Sequence, residues 1–197
     1  NPFFDEVMDG LRQKLEELSI YGCTVIERRI SFDLQSQLQT IDELLKEEIH
    51  GLILSPYNDP AIQEKIDLLW ENGIPCITIN TDMPDSKRIA YVGSDYHKCG
   101  QTAAGLLHLF SGDYASVGIV TGSHNVLCHE ERISGFTSHL HTKHPNIRIV
   151  DVVENGDDDY KSYELVSDIL DRHPDLSALY FTAAGVYGGC RAVLNAS

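Results

Sequence analysis

Short apolar runs alternate with helical stretches along the whole chain, and no other feature restricts the fold as much. "LILS" (52–55) and "SVGIVTG" (116–122) are continuous apolar runs, as expected of strands covered on both faces. "PCITIN" (75–80), "IAYVG" (89–93), "IRIVDVV" (147–153) and "ALYFTA" (178–183) also read as strands, as does "CTVIERRISF" (23–32). Between them the spacing predicts helices over 5–19, 35–49, 60–71, 96–110, 129–143, 160–172 and 186–195. Val7, Met8, Leu11, Leu15 and Leu18 form one stripe, and Leu38, Ile41, Leu45 and Ile49 form another. Asp59-Pro60 is a cap followed by proline at the first helical position, and Asp95 is a second cap. Strands joined through helices by short loops imply right-handed crossovers and parallel sheets. The stretch around 93–97 separates two such arrays, giving an α/β chain with lobes at 1–95 and 96–197. The first array begins on a helix and the second stops on one, so both lobes are expected to be incomplete.

Composition narrows the function. The net charge is −15, and the basic residues cluster only in "ERR" (27–29), which excludes phosphate-backbone binding by this segment. No apolar run approaches the ~20 residues that cross a bilayer. The five cysteines are odd in number and form no C-x-x-C pair. They read as reduced core thiols, and hence as a cytoplasmic protein. Phosphate-loop, dinucleotide and nucleophile-elbow patterns are lacking, and no carboxylate pair is tied by spacing to acid–base work, so neither an enzyme nor a cofactor is expected. His139, His141 and His144 are spaced by two and three, which does not put them on one helix face, and no metal site is expected.

In open parallel sheets a ligand lies beyond the carboxyl ends of the strands. The loops there hold hydroxyls, amides, carboxylates and aromatic rings, a mixture that suits a sugar-like molecule. Phe3 and Phe4 either staple a helix or stack on such a ligand. His129, at a helix start, is a cleft candidate. Asp157, Asp158 and Asp159 serve either the helix dipole or a ligand.

Several motifs carry a family resemblance in their order and spacing: "NPFF", "GLILSP", "GIPCITIN", "VGSD" before a "GQTAAGLL" helix, "VGIVTGS" and "RISGF". The chain resembles the effector-binding domain of LacI/GalR transcriptional regulators and their relatives, the periplasmic sugar-binding proteins of the ribose-binding type. The resemblance implies two Rossmann-like lobes joined by a hinge that close over a ligand. It implies ligand contacts by Asn1, Phe3, Phe4, Ser55 and Asn80, with Asp82 two residues beyond the usual acidic position. Relatives commonly place an arginine where this chain has Glu130, beside His129. That replacement favours a polyol or an amino sugar over an acidic sugar. The implied function is ligand sensing by a LacI-type regulator, homodimeric, with DNA contacted through a separate N-terminal region and no membrane partner. The alternative is an extracytoplasmic sugar-binding protein of a transporter.

Overall fold

The computed structural model describes residues 3–196, with side chains from residue 4 onward. Two compact units appear, residues 1–31 and residues 32–197.

In the first unit, helix α1 (Phe3–Leu18) ends in a single 3-10 turn, Ser19–Tyr21. Gly22 closes that turn at φ 72°, where a side chain would be strained. Residues 23–31 form neither strand nor helix, contrary to the sequence expectation of a strand over 23–32. A strand needs a neighbour for its backbone N–H and C=O groups, and among the described residues none forms a ladder with this segment. Side chains fasten it instead. Arg29 Nη1 lies 2.8 Å from Asp5 Oδ1, and Arg12 Nη2 lies 3.4 Å from Glu27 Oε2. Such exposed pairs contribute little stability.

The second unit holds two parallel sheets. Helix α2 (Leu34–Leu45) is followed by β1 (Leu52–Leu54), α3 (Pro60–Glu71), β2 (Cys76–Ile79) and β3 (Ala90–Val92), which form a sheet of order β1-β2-β3. Helix α4 (Tyr96–Ser111) then leads into β4 (Ala115–Thr121), α5 (Leu127–Lys143), β5 (Ile147–Glu154), α6 (Asp159–Arg172), β6 (Ala178–Phe181) and α7 (Val186–Ala196), with sheet order β5-β4-β6. All four strand pairs are parallel.

Aspartates start most of these helices. Asp33, Asp59, Asp95 and Asp158 accept from the backbone N–H of Ser36, Ala61, Lys98 and Lys161. The β1-β2-β3 sheet packs Cys76 against Ile41, Ile62, Ile66 and Leu69 of α2 and α3. In the other sheet β4 is buried along its whole length. Val117 and Ile119 face Ala104, Phe136 and Leu140, while Val120 faces Val166 and Ala192. Central burial of this kind is what a continuous apolar run requires.

Helices α4 and α5 approach closely because glycines face the contact. A methyl group at Gly100 would lie 2.1 Å from the Arg132 carbonyl oxygen, and one at Gly135 would lie 1.9 Å from that of His97.

Candidate functional site

The carboxyl ends of the strands hold unusual backbone. Asn80 follows β2 at φ 63°, and Asp157 lies beyond β5 at φ 62°. Asn and Asp tolerate this left-handed region better than most residues, and the surroundings fix both. The Asn80 N–H donates to Val92 O at 3.1 Å. Tyr91 Oη stands 3.0 Å from both Asn80 O and Ser94 O, sharing its one proton between them, and Tyr96 Oη donates to Asn80 Oδ1 at 2.9 Å. Burial raises the pKa of both phenols, so they remain donors.

Asp82 turns back into its own lobe. It accepts from Thr78 Oγ1 at 2.6 Å, from the Met83 N–H at 2.7 Å and from Arg88 Nη2 at 2.6 Å. Burial opposes ionisation of this carboxyl. The Arg88, Thr78 and Met83 donors outweigh burial and hold its pKa below the usual range. An open depression of about 370 Å³ lies beside it, lined among others by Tyr91, Asp95, Tyr96 and Glu131. Burial, then the charges of Asp82 and Asp95, raise the pKa of Glu131.

The ends of β4, β5 and β6 converge on Gly122. A side chain there would meet Asp157 Oδ1 at 2.6 Å, His129 Cε1 at 2.7 Å and Ala183 Cβ at 3.0 Å. Only glycine lets these three groups come together. Buried Asn155 holds the floor: its Nδ2 donates to Ser162 Oγ at 2.6 Å and to Ala184 O at 2.8 Å, and its Oδ1 accepts from the Asp157 N–H at 2.8 Å. Asp157 Oδ1 accepts from the Ala184 N–H at 3.0 Å. Among the described residues no protein donor reaches its other oxygen. His129 is buried, and its Nδ1 stands 3.1 Å from both the N–H and the carbonyl oxygen of Ser123, accepting from the one or donating to the other according to the tautomer. Burial lowers its pKa, the neighbouring Asp157 charge opposes that, and the ring is neutral at pH 7.

The two sheets' rims meet within this unit. The Asn58 N–H donates to Asn125 O at 3.1 Å, and the Cys128 N–H to Thr81 Oγ1 at 3.3 Å. Arg132 ties the ends together: its guanidinium stands 4.2 Å over the Tyr96 ring, and its Nη1 donates to Thr182 O at 2.9 Å.

Of the residues expected at the site, His129 and Asp157 come together at Gly122, and Asn80 lies across the Tyr96–Arg132 link. Ser55 accepts through its backbone carbonyl from Gln37 Nε2 at 3.0 Å. Glu130 is half exposed and pairs with His124 rather than with the other candidates. Phe4 lies half-buried in α1 of the first unit. Asn1 and the Phe3 side chain lie outside the described residues. The aspartate run divides its work: Asp157 reaches Ala184, Asp158 caps α6, and Asp159 accepts from the Gly188 N–H at 3.1 Å. Sequence reasoning gave Tyr91 and Tyr96 no part in the site, and it placed Gly122 and Asn155 only as the first residues of ligand-side loops. Their part depends on contacts between strands, and the placing of Gly122 and Asn155 directly after apolar runs is the only local signal.

Two parallel α/β lobes with strand ends turned to a shared rim define the two-lobed fold of the periplasmic-binding type I-like class. A periplasmic binding protein domain model matches residues 1–197, and the chain belongs to that family. It is 25% identical over 180 residues to the ribose import binding protein RbsB of Bacillus subtilis, covering 91% of this chain and 57% of that protein. It is 23% identical over 188 residues to the D-allose-binding periplasmic protein of Escherichia coli, covering 91% and 60%. The chain thus spans well under two thirds of the length of these relatives. The solved structure of the XylFII molecule superposes with a TM-score of 0.91 at 29% identity, over 100% of this chain and 71% of that one.

These relatives are binding proteins, not enzymes, by their names. They overturn the expected cytoplasmic location, since one is an import protein and another periplasmic. The cysteine argument fails for a physical reason. Cys23, Cys99 and Cys190 are exposed, contrary to the expectation of core thiols, whereas Cys76 and Cys128 are buried as small apolar side chains, and burial pushes the Cys76 thiol up to about 11. Packing of that kind carries no information on compartment.

Proposed function

We propose that this chain belongs to an extracytoplasmic sugar-binding protein that delivers a neutral monosaccharide to an importer. One observation carries the reading: His129, Asp157 and Ala183 converge on Gly122 at the carboxyl ends of three parallel strands. A carboxylate oxygen without a protein donor and a neutral imidazole suit sugar hydroxyls, which donate and accept at once. The names of the curated relatives, which refer to ribose and allose, support a monosaccharide. The Asp157 carboxylate, which faces the Gly122 backbone beside His129, disfavours an anionic sugar. The boundary between lobes is proposed at 95/96, where Asp95 caps α4.

The regulator reading rests on motifs that both groups share, and the relatives above favour the transport reading. The homodimer and the DNA-contacting region find no support among them and form no part of the proposal.

A thermal-shift screen of the full chain tests this. Neutral pentoses and hexoses are expected to raise Tm with the logarithm of concentration above Kd, by about 2.7 kcal/mol of stability at a hundredfold excess. Uronic acids are expected to leave it unchanged. A flat response to every neutral sugar, or a shift with uronic acids alone, contradicts the proposal.

A further inference from the structure

Packing of α4 on α5 gathers three histidines and an aspartate at the helix ends remote from the sugar site. His108 lies in the last turn of α4, Asp113 just beyond that helix, His139 within α5 and His144 directly after it. The His108 and His144 rings stack with centroids 3.8 Å apart and planes 19° from parallel, and His139 lies 5.6 Å from His144. His108 Nδ1 is 3.6 Å from Asp113 Oδ1. One ligand atom from each of His108, Asp113 and His144 lies within 4.8 Å of the other two.

We propose that His108, Asp113 and His144 bind a divalent transition-metal ion, zinc first among them, with solvent or His139 in the fourth position. Two imidazoles and a carboxylate are a donor set that zinc accepts. At metal–nitrogen distances of about 2.0–2.1 Å, tetrahedral ligand atoms stand roughly 3.3 Å apart. The three must therefore close in by on the order of 1.5 Å, which suits side chains at the surface. Asp113 is 71% and His108 31% exposed.

The surroundings favour a cation and a neutral ligand. Both helices point their C-terminal, negative ends at the cluster. Partial desolvation, then the neighbouring His108 and His139, lower the pKa of His144; Asp113 opposes this and Lys143 adds to it. A bound ion would join the ends of α4 and α5, the helices that carry Tyr96 and Arg132 to the sugar site. Sequence spacing alone could not reveal the site, because His108 and His144 lie 36 positions apart.

Titration of the untagged full chain with zinc chloride against a chromogenic chelator tests the proposal. The expected result is one equivalent bound and a zinc-dependent rise in Tm. His144→Asn and His108→Asn, on different elements, are each expected to weaken binding more than about tenfold. His141→Asn, an exposed change outside the cluster, is expected to leave it intact. Circular dichroism checks that the variants fold, and with two variants on separate elements the loss of one still leaves a test. No stoichiometric zinc binding, or equal binding by the His108 and His144 variants, overturns the proposal. Because sugar binding is read separately, either result can stand without the other.

Discussion

Gly135→Ala is expected to destabilise the fold by about 3 kcal/mol, the upper end of ordinary overpacking costs. For a chain of this size that corresponds to a fall in Tm of roughly 6–12 °C. The added methyl would stand 1.9 Å from the His97 carbonyl oxygen, which is backbone and cannot rotate away. Helices α4 and α5 must then separate. Separation lifts Arg132 off Tyr96 and loosens the hydrogen bond from Tyr96 to Asn80, so sugar affinity is expected to fall along with stability. Gly105→Ala is the matched control on α4. The nearest atom to its methyl is His139 Nε2 at 3.9 Å, an ordinary contact. That change is expected to be neutral or to stabilise, because alanine is the better helix former. Thermal melts of the two variants check the pair, and equal Tm values would show that the glycine contact does not set the helix approach.

Asp157→Asn is expected to weaken sugar binding by roughly 10–150-fold, the loss of one charge-assisted hydrogen bond of about 1.5–3 kcal/mol. The substitution removes the charge and little else. Asparagine also tolerates φ near 62°, and its oxygen still accepts from the Ala184 N–H. Alanine at this position would add backbone strain and lose that anchor, confusing binding with local unfolding. Calorimetric titration with the sugar that gives the largest thermal shift reads the effect directly. Unchanged affinity, with Tm held, would remove Asp157 from the site.

The sequence reveals the architecture where local chemistry decides it. The apolar run at 116–122 became buried β4, and Asp59, Asp95 and Asp158 begin helices because a short carboxylate satisfies free N–H groups wherever it falls. The segment 23–32 has strand composition but no strand, since pairing depends on a partner that composition does not specify. Expectations for Glu130 followed motif position, yet its carboxylate pairs with His124, six residues back, through loop geometry that spacing cannot reveal. His129 and Asp157 were visible as candidates at strand ends. That a missing side chain at Gly122 lets them meet, and that Asn155 supports them from below, depends on contacts between strands.

The most direct test is a crystal structure of the full chain with its best-binding neutral sugar. The reading predicts sugar oxygens within hydrogen-bond distance of Asp157 and His129, beside the bare backbone of Gly122. A sugar seated away from the ends of β4, β5 and β6, with Asp157 and His129 untouched, would contradict it.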